Sequence, residues 1–208
     1  MKRLFPGLIV IVFSSLLLIG CSASKTSSSL ETEYMPLAIG NKWYYSIYPP
    51  DKNDDSIFIK EVVATDTING KKYFLLKNSN IRTDKTINYY NYLRLSNDTL
   101  FSLNYDNQNL GYIERIDAIF SLDSNETATA HWDLATPGPL RKKGIERLPM
   151  PDHYTIKVIN KTENKIEFVI GYGHPDTKGT TTYEKGVGMV KSVNSWGAGT
   201  ELKKYDLK

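Results

Sequence analysis

The chain has 208 residues, with 26 Lys and Arg against 23 Asp and Glu, a net charge of +3 and a single cysteine. So small an excess of positive charge gives no support for nucleic-acid binding. One cysteine rules out a disulfide framework within the chain. Tyrosine occurs 14 times and Thr and Ile are common, a composition that suits strands better than helices, and no fixed-period repeat is present.

Lys2 and Arg3 open the chain, Leu4 to Ile19 is apolar apart from Pro6, Gly7, Ser14 and Ser15, and Gly20-Cys21 gives way at once to Ser22-Ala23-Ser24-Lys25. This run is shorter than the ~20 residues that span a bilayer, so it predicts a secretory signal peptide over residues 1–20 rather than a transmembrane anchor or a buried helix. Losing Lys2 and Arg3 lowers the net charge from +3 to +1. What remains is long enough for one domain with a substantial core.

Leu18-Ile19-Gly20-Cys21 resembles the bacterial lipobox, Leu-x-Gly/Ala-Cys. The resemblance implies diacylglyceryl transfer to the Cys21 thiol, cleavage before Cys21 and acylation of the new amino group with a fatty acid such as palmitate. One acyl chain holds weakly, whereas two or three make a stable anchor, at ~0.8 kcal/mol per buried methylene. Ser22, not Asp, follows the cysteine; by its likeness to enteric sorting signals this implies an outer-membrane lipoprotein facing the periplasm or the cell surface. Residues 21–33, rich in Ser, Thr and Lys, read as a flexible lipidated tether.

The domain is expected over residues 34–208. Pro36 and Gly40 punctuate its start, and Trp43, Tyr45 and Ile47 alternate on one face of a first strand, with Trp43 in the core. Ile57, Ile59 and Val63 alternate next, although Phe58 and Val62 make that strand apolar on both faces. Asn69-Gly70, between Val62-Val63 and Tyr73-Phe74-Leu75-Leu76, predicts a type I′ hairpin, since both positions tolerate positive φ. Ile87, Tyr89, Leu93 and Leu95 share one face of a further strand, with Tyr90, Tyr92 and Arg94 opposite. Ser96-Asn97-Asp98 turns the chain into Phe101, Leu103 and Tyr105, and Asp106 to Asn109 turns it again. Tyr112 to Phe120 fits either a helical stripe or a strand, and its neighbours favour strand.

Ala135 to Asp152 carries Pro137, Pro139, Pro149 and Pro151 with Gly138 and Gly144. Proline removes ladder donors, so this stretch is expected to be a long loop rather than sheet. Tyr154, Ile156 and Val158 then alternate with polar residues, Asn160 to Asn164 turns, and Ile166, Phe168 and Ile170 alternate on return. That pattern predicts an antiparallel hairpin with one face toward water. Thr180 to Tyr183, Met189 to Val193 and Glu201 to Tyr205 read as closing strands, with bends at Gly186, Gly188, Gly197 and Gly199. The expected fold is all-β with little helix: about ten antiparallel strands in a meander, forming one strongly curved sheet or an open or half barrel.

Pro36-Leu37-x-x-Gly40-Asn41-x-Trp43-x-Tyr45 and Gly186-Val187-Gly188-Met189-Val190-Lys191 are similar to paired signatures of uncharacterised bacterial envelope lipoproteins built of curved antiparallel sheet. This resemblance implies fold and address rather than activity. A looser likeness is to periplasmic lipoprotein-carrier half barrels, which hold acyl chains.

No catalytic signature stands out. His131, His153 and His174 each have an aspartate within two residues (Asp133, Asp152 and Asp176), but no two histidines lie close enough in sequence to make a ligand motif. Asn194-Ser195-Trp196-Gly197 lacks the first glycine of a nucleophile elbow. No metal or other cofactor is expected. Trp132 beside the proline-rich stretch is the candidate ligand-facing aromatic, and Arg141-Lys142-Lys143 the candidate partner-facing cluster. The functional expectation is a non-catalytic binding module, tied to the membrane through acylated Cys21, for a hydrophobic, glycan or peptide ligand. An accessory subunit of an envelope complex is the alternative, and a hydrolase with an unrecognised site ranks third.

Overall fold

The structure, a computed structural model, describes residues 34–50, 56–82, 85–106, 111–131, 133–136, 153–172 and 177–208. Thirteen strands form one antiparallel sheet: β1 (Lys42–Tyr48), β2 (Ile57–Ile68), β3 (Lys71–Ile81), β4 (Thr86–Ser96), β5 (Thr99–Asp106), β6 (Gly111–Ile119), β7 (Thr127–His131), β8 (Asp133–Thr136), β9 (His153–Lys161), β10 (Lys165–Gly171), β11 (Gly179–Glu184), β12 (Gly188–Val193) and β13 (Gly199–Asp206). From β1 to β6 and from β9 to β13 each strand lies beside its neighbours in sequence, as in a meander, and β13 pairs with β1 from Lys42↔Asp206 to Tyr48↔Gly199. The expected half barrel is therefore a nearly closed barrel. Alternation within a strand cannot reveal that the first and last strands pair.

The two ends of the sheet order are β7 and β8, which are separated by one residue in the chain. β7 pairs with β9 and β8 with β6, so the chain changes partner at the seam between β6 and β9. Where β8 stops short along β6, the Tyr154 hydroxyl from β9 accepts from the Ile116 N–H and donates to the Ile116 carbonyl at 3.0 Å. Backbone polar groups need partners when buried, and here one phenol serves both. Burial pushes the Tyr154 pKa up to about 12, which keeps that donor protonated at neutral pH.

β7 and β8 are the strands that raise the count above the expected ten. β7 (Thr-Ala-Thr-Ala-His) has no large alternating apolar side chains. β8 takes Ala135 and Thr136, which the prolines had assigned to a loop. Tyr112 to Ile119 is strand within β6. In β2 the inward set is Phe58, Lys60 and Val62 rather than Ile57 and Ile59: Val62 is fully buried and Ile57 is exposed.

The turns are built as their residues dictate. Asn69 and Gly70 have φ of 51° and 75°, and Asn97 and Asp98 have 49° and 60°, the positive pair a tight β-hairpin turn needs. These turns, with the links after β9 and β11, lie at one end of the barrel. The strand ends Tyr48, Ile81, Asp106, Thr136, Gly171 and Val193 lie at the other, which we term the mouth.

The turn end is closed by side chains. Tyr34 stacks on Phe120 at 5.0 Å, and Phe120 meets Tyr183 and Phe168 edge-on at 5.2 and 6.0 Å. Pairs of this kind each contribute ~0.5–1.5 kcal/mol beyond area burial. The two recurrent motifs meet here, 144 residues apart: the Trp43 indole N–H donates to the Val187 carbonyl, and the Tyr45 hydroxyl donates to the Met189 carbonyl at 2.9 Å. Gly188, at φ +109°, lies so close that a Cβ would sit 3.0 Å from Trp43 Nε1 and 3.3 Å from Met35 Sδ. Asn41 ties the chain ends together, donating to the Pro36 carbonyl at 2.7 Å and accepting from the Lys208 N–H at 2.8 Å. The paired motifs are thus a lock on the closed end.

Candidate functional site: the barrel lumen

Above this floor the lumen holds a cavity of about 330 Å³ whose walls come from nearly all the strands. Its floor is apolar, made by Met35, Leu76, Leu93, Leu100 and Met189. Higher up, Asn78, Asn91, Ser102, Thr181, Ser192 and Thr200 make the wall polar, and Asn78 donates to Asn91 Oδ1 at 2.6 Å. Tyr89, 55% exposed, stands at the rim. Small-molecule sites usually span roughly 300–1,000 Å³ and combine apolar walls with a few convergent polar groups. This one lies at the small end of that range.

Three charged side chains line it: Lys60 from β2, and Arg115 and Asp117 from β6. β6 can present both because of a bulge: Leu100 pairs with Ala118 but Phe101 with Ile116, leaving Asp117 as the extra residue. Bulges re-aim side chains in this way and are frequent beside sites. Arg115 Nε reaches Asp117 Oδ1 at 2.7 Å. The Ser102 hydroxyl braces the pair, accepting from Arg115 Nε and donating to Asp117, both at 3.0 Å. The Tyr172 hydroxyl accepts from Arg115 at 3.4 Å. Asp117's charge, against the cost of burial, holds the Arg115 guanidinium firmly protonated. Arg115 and Asp117 therefore cancel.

Lys60 is different. Among the described residues its ammonium has no hydrogen-bond or ion-pair partner; its contact is the Tyr45 ring, 5.5 Å from Nζ to centroid. Lys60 is half-buried and lines the cavity. Burial pushes its pKa down, and Arg115 adds to this, while attraction to Asp117 compensates only in part. Burial likewise pushes the phenols of Tyr45 and Tyr183, which line the lumen, up, so both stay neutral there.

A second charged cluster sits on the outer face of β3, β4 and β6. Glu114, 4% exposed, accepts from Tyr73 and, at 2.7 and 2.9 Å, from Lys71 and Arg94, and Arg94 stacks on Phe101 at 3.9 Å. Burial alone would raise the Glu114 pKa, but hydrogen bonds from Lys71, Tyr73 and Arg94, with the Arg94 charge, outweigh it and hold the carboxyl below its usual range. Here every charge has a partner.

Cys21, Trp132, His174 and Arg141-Lys142-Lys143 lie outside the described residues. His131 and His153 are Cα partners across β7 and β9, with rings 6.2 Å apart. Among the described residues no three His, Cys, Asp or Glu side chains gather as a metal site would need. Lys60 carried one signal that could have found it: a lysine sharing the Phe58 and Val62 face of a strand apolar on both sides. Arg115 and Asp117 carried none, because their common direction depends on the bulge.

No protein-family profile matches the chain, and no curated protein matches it. Two solved structures resemble it: a presumed exported protein with a YmcC-like fold from Bacteroides fragilis and a presumed lipoprotein from Parabacteroides distasonis. The first is 11% identical with a TM-score of 0.45, the second 11% identical with a TM-score of 0.39. Each alignment covers 84% of this chain and 99% of the other.

Proposed function

We propose that this chain is a lipid-anchored protein of the cell envelope that binds a small ligand in its barrel lumen and performs no chemistry on it. The observation that carries the reading is the lumen itself: a cavity with an apolar floor and polar upper walls, closed at the turn end. Tyr34, where the described chain starts, packs into that closed end. Acylation of Cys21 would then tether the barrel by its closed end and leave the mouth free. Native mass spectrometry of protein purified from membranes is expected to show a small adduct that denaturation releases. A bare mass, together with no uptake of apolar dyes, would refute ligand binding. For the anchor, Cys21→Ser is expected to release the protein into the aqueous fraction, and a variant still membrane-bound without acylation would refute it.

One observation favours the accessory-subunit reading as second. Trp196 is 81% exposed on the turn between β12 and β13, at the mouth end where Ile57, Ile87 and Tyr90 are also exposed. Exposed aromatics are enriched at protein interfaces. Trp196→Ala is expected to weaken capture of such a partner from solubilised envelope, and an unchanged capture profile removes the reading.

A further inference from the structure

Resting on the lumen-binding reading above, we infer that the ligand is a small amphiphilic monoanion, a carboxylate with a short apolar body, whose charge pairs with Lys60 Nζ. The argument is one of charge balance. Of the three ionised groups among the described residues that face the cavity, Arg115 and Asp117 are bonded to each other at 2.7 Å and braced by Ser102. Lys60 is left over, with an aromatic ring at 5.5 Å as its contact. The chamber thus holds one unmatched positive charge. A charge partly withdrawn from water without a partner carries a desolvation cost, and a bound anion offsets it.

The rest of the lining fixes the remainder of the ligand. Met35, Leu76, Leu93, Leu100 and Met189 form a floor that hydrogen-bonding groups would not satisfy, so the end of the ligand opposite its charge is apolar. A cavity of about 330 Å³ suits a small body rather than a long lipid chain. A phosphomonoester would bring close to two negative charges against one available cation and leave the second uncompensated. One charge, one short apolar body and a rim of hydroxyls and amides match a monocarboxylate.

Met35 and Met189, two of the chain's four methionines, line this cavity and report its occupancy directly. The test uses the full-length chain carrying Cys21→Ser in detergent-free buffer, labelled with 13C at the methionine methyls. Octanoate, octan-1-ol and octyl phosphate are titrated while the two methyl resonances are followed. Octanoate is expected to shift both and to bind about tenfold more tightly than the alcohol, as one charge-assisted hydrogen bond would give. Octyl phosphate is expected to bind more weakly than octanoate. Lys60→Leu should erase the preference for octanoate while leaving octan-1-ol unchanged, and Lys60→Arg should restore it. Equal affinity for octanoate and octan-1-ol in the parent chain overturns the charge assignment but leaves lumen binding standing. Tighter binding of octyl phosphate overturns the choice of a monoanion. If no probe moves either methyl, the lumen reading and this inference fall together.

Discussion

Two charges sit on opposite faces of the sheet, Glu114 on β6 outside the barrel and Lys60 on β2 inside it. Glu114 accepts from Lys71, Tyr73 and Arg94, and its partners in turn pack on Phe101 and Tyr92. Lys60 has a ring face and a cavity. Among the described residues, the fold that supplied three partners to one charge supplied no ion partner to the other, although Asp117 was at hand and is engaged by Arg115. A saturated charge is a structural joint. An unsaturated one beside a void is where a ligand has something to contribute.

The comparison breaks most visibly if Glu114 is neutralised. Glu114→Gln keeps the shape but leaves Arg94, 13% exposed, with no charge to face. Removing one member of a buried pair is strongly destabilising, and for this carboxylate, 4% exposed, the expected loss is about 3 kcal/mol, read as a lower urea midpoint. Acid sharpens the point. The folded pKa of Glu114 lies below its unfolded value, so its contribution is present above the unfolded pKa and is lost as pH falls through the folded one. Parent and Glu114→Gln should therefore converge in stability on acidification below the usual carboxylate range. If the gap between them stays constant with pH, the cluster is not carried by the carboxylate charge.

Asp117→Asn tests the claim that the lumen pair is self-neutralising. The variant loses a charged hydrogen bond to Arg115, which is partly exposed at 36%, so the expected cost is only about 1.5 kcal/mol. It also leaves Lys60 and Arg115 both unmatched in one chamber. Octanoate is then expected to bind severalfold more tightly, the stability loss notwithstanding. Unchanged octanoate affinity would mean that Asp117 does not screen the cavity.

Much of the fold was legible because it lives in local rules. Alternation placed the strands, and Asn69-Gly70 dictated its turn. Trp43 and Tyr45 are as buried as their face required. The paired Trp43 and Gly186-Val187-Gly188 motifs were visible as motifs, yet their meaning emerged when the Trp43 indole N–H met the Val187 carbonyl across the closed end. Closure was not legible, since β13 on β1 is a long-range pairing with no local signature. β7 was missed because threonine and alanine carry no strong periodic signal. The site was the least legible part. Sequence reasoning sought reactive residue types and loop aromatics, whereas the lumen charges are ordinary strand residues brought together from β2 and β6 by closure and one bulge. Lys60 on a strand reads as a surface residue until the strand is wrapped around a cavity.

The smallest effect, and the sharpest contrast with Glu114, belongs to Lys60→Leu in the absence of ligand. Replacing an unpaired buried charge by an apolar group of similar volume is neutral or stabilising, and a gain of about 1 kcal/mol is expected near neutral pH. The sign of the pH dependence is fixed by the direction of the shift. The folded pKa of Lys60 lies below 10.5, so between the two values the unfolded chain binds more protons and the parent gains stability as pH rises. Lys60→Leu lacks that rise, and the stability difference between the two proteins should shrink toward alkaline pH. The phenols whose pKa is raised by burial, Tyr45 and Tyr183 among them, act in the opposite sense in both proteins. They cancel in the difference. Were Lys60→Leu instead less stable than the parent at every pH, the ammonium would be a joint like Glu114, already satisfied by the Tyr45 ring, and the unmatched charge in the lumen would not exist.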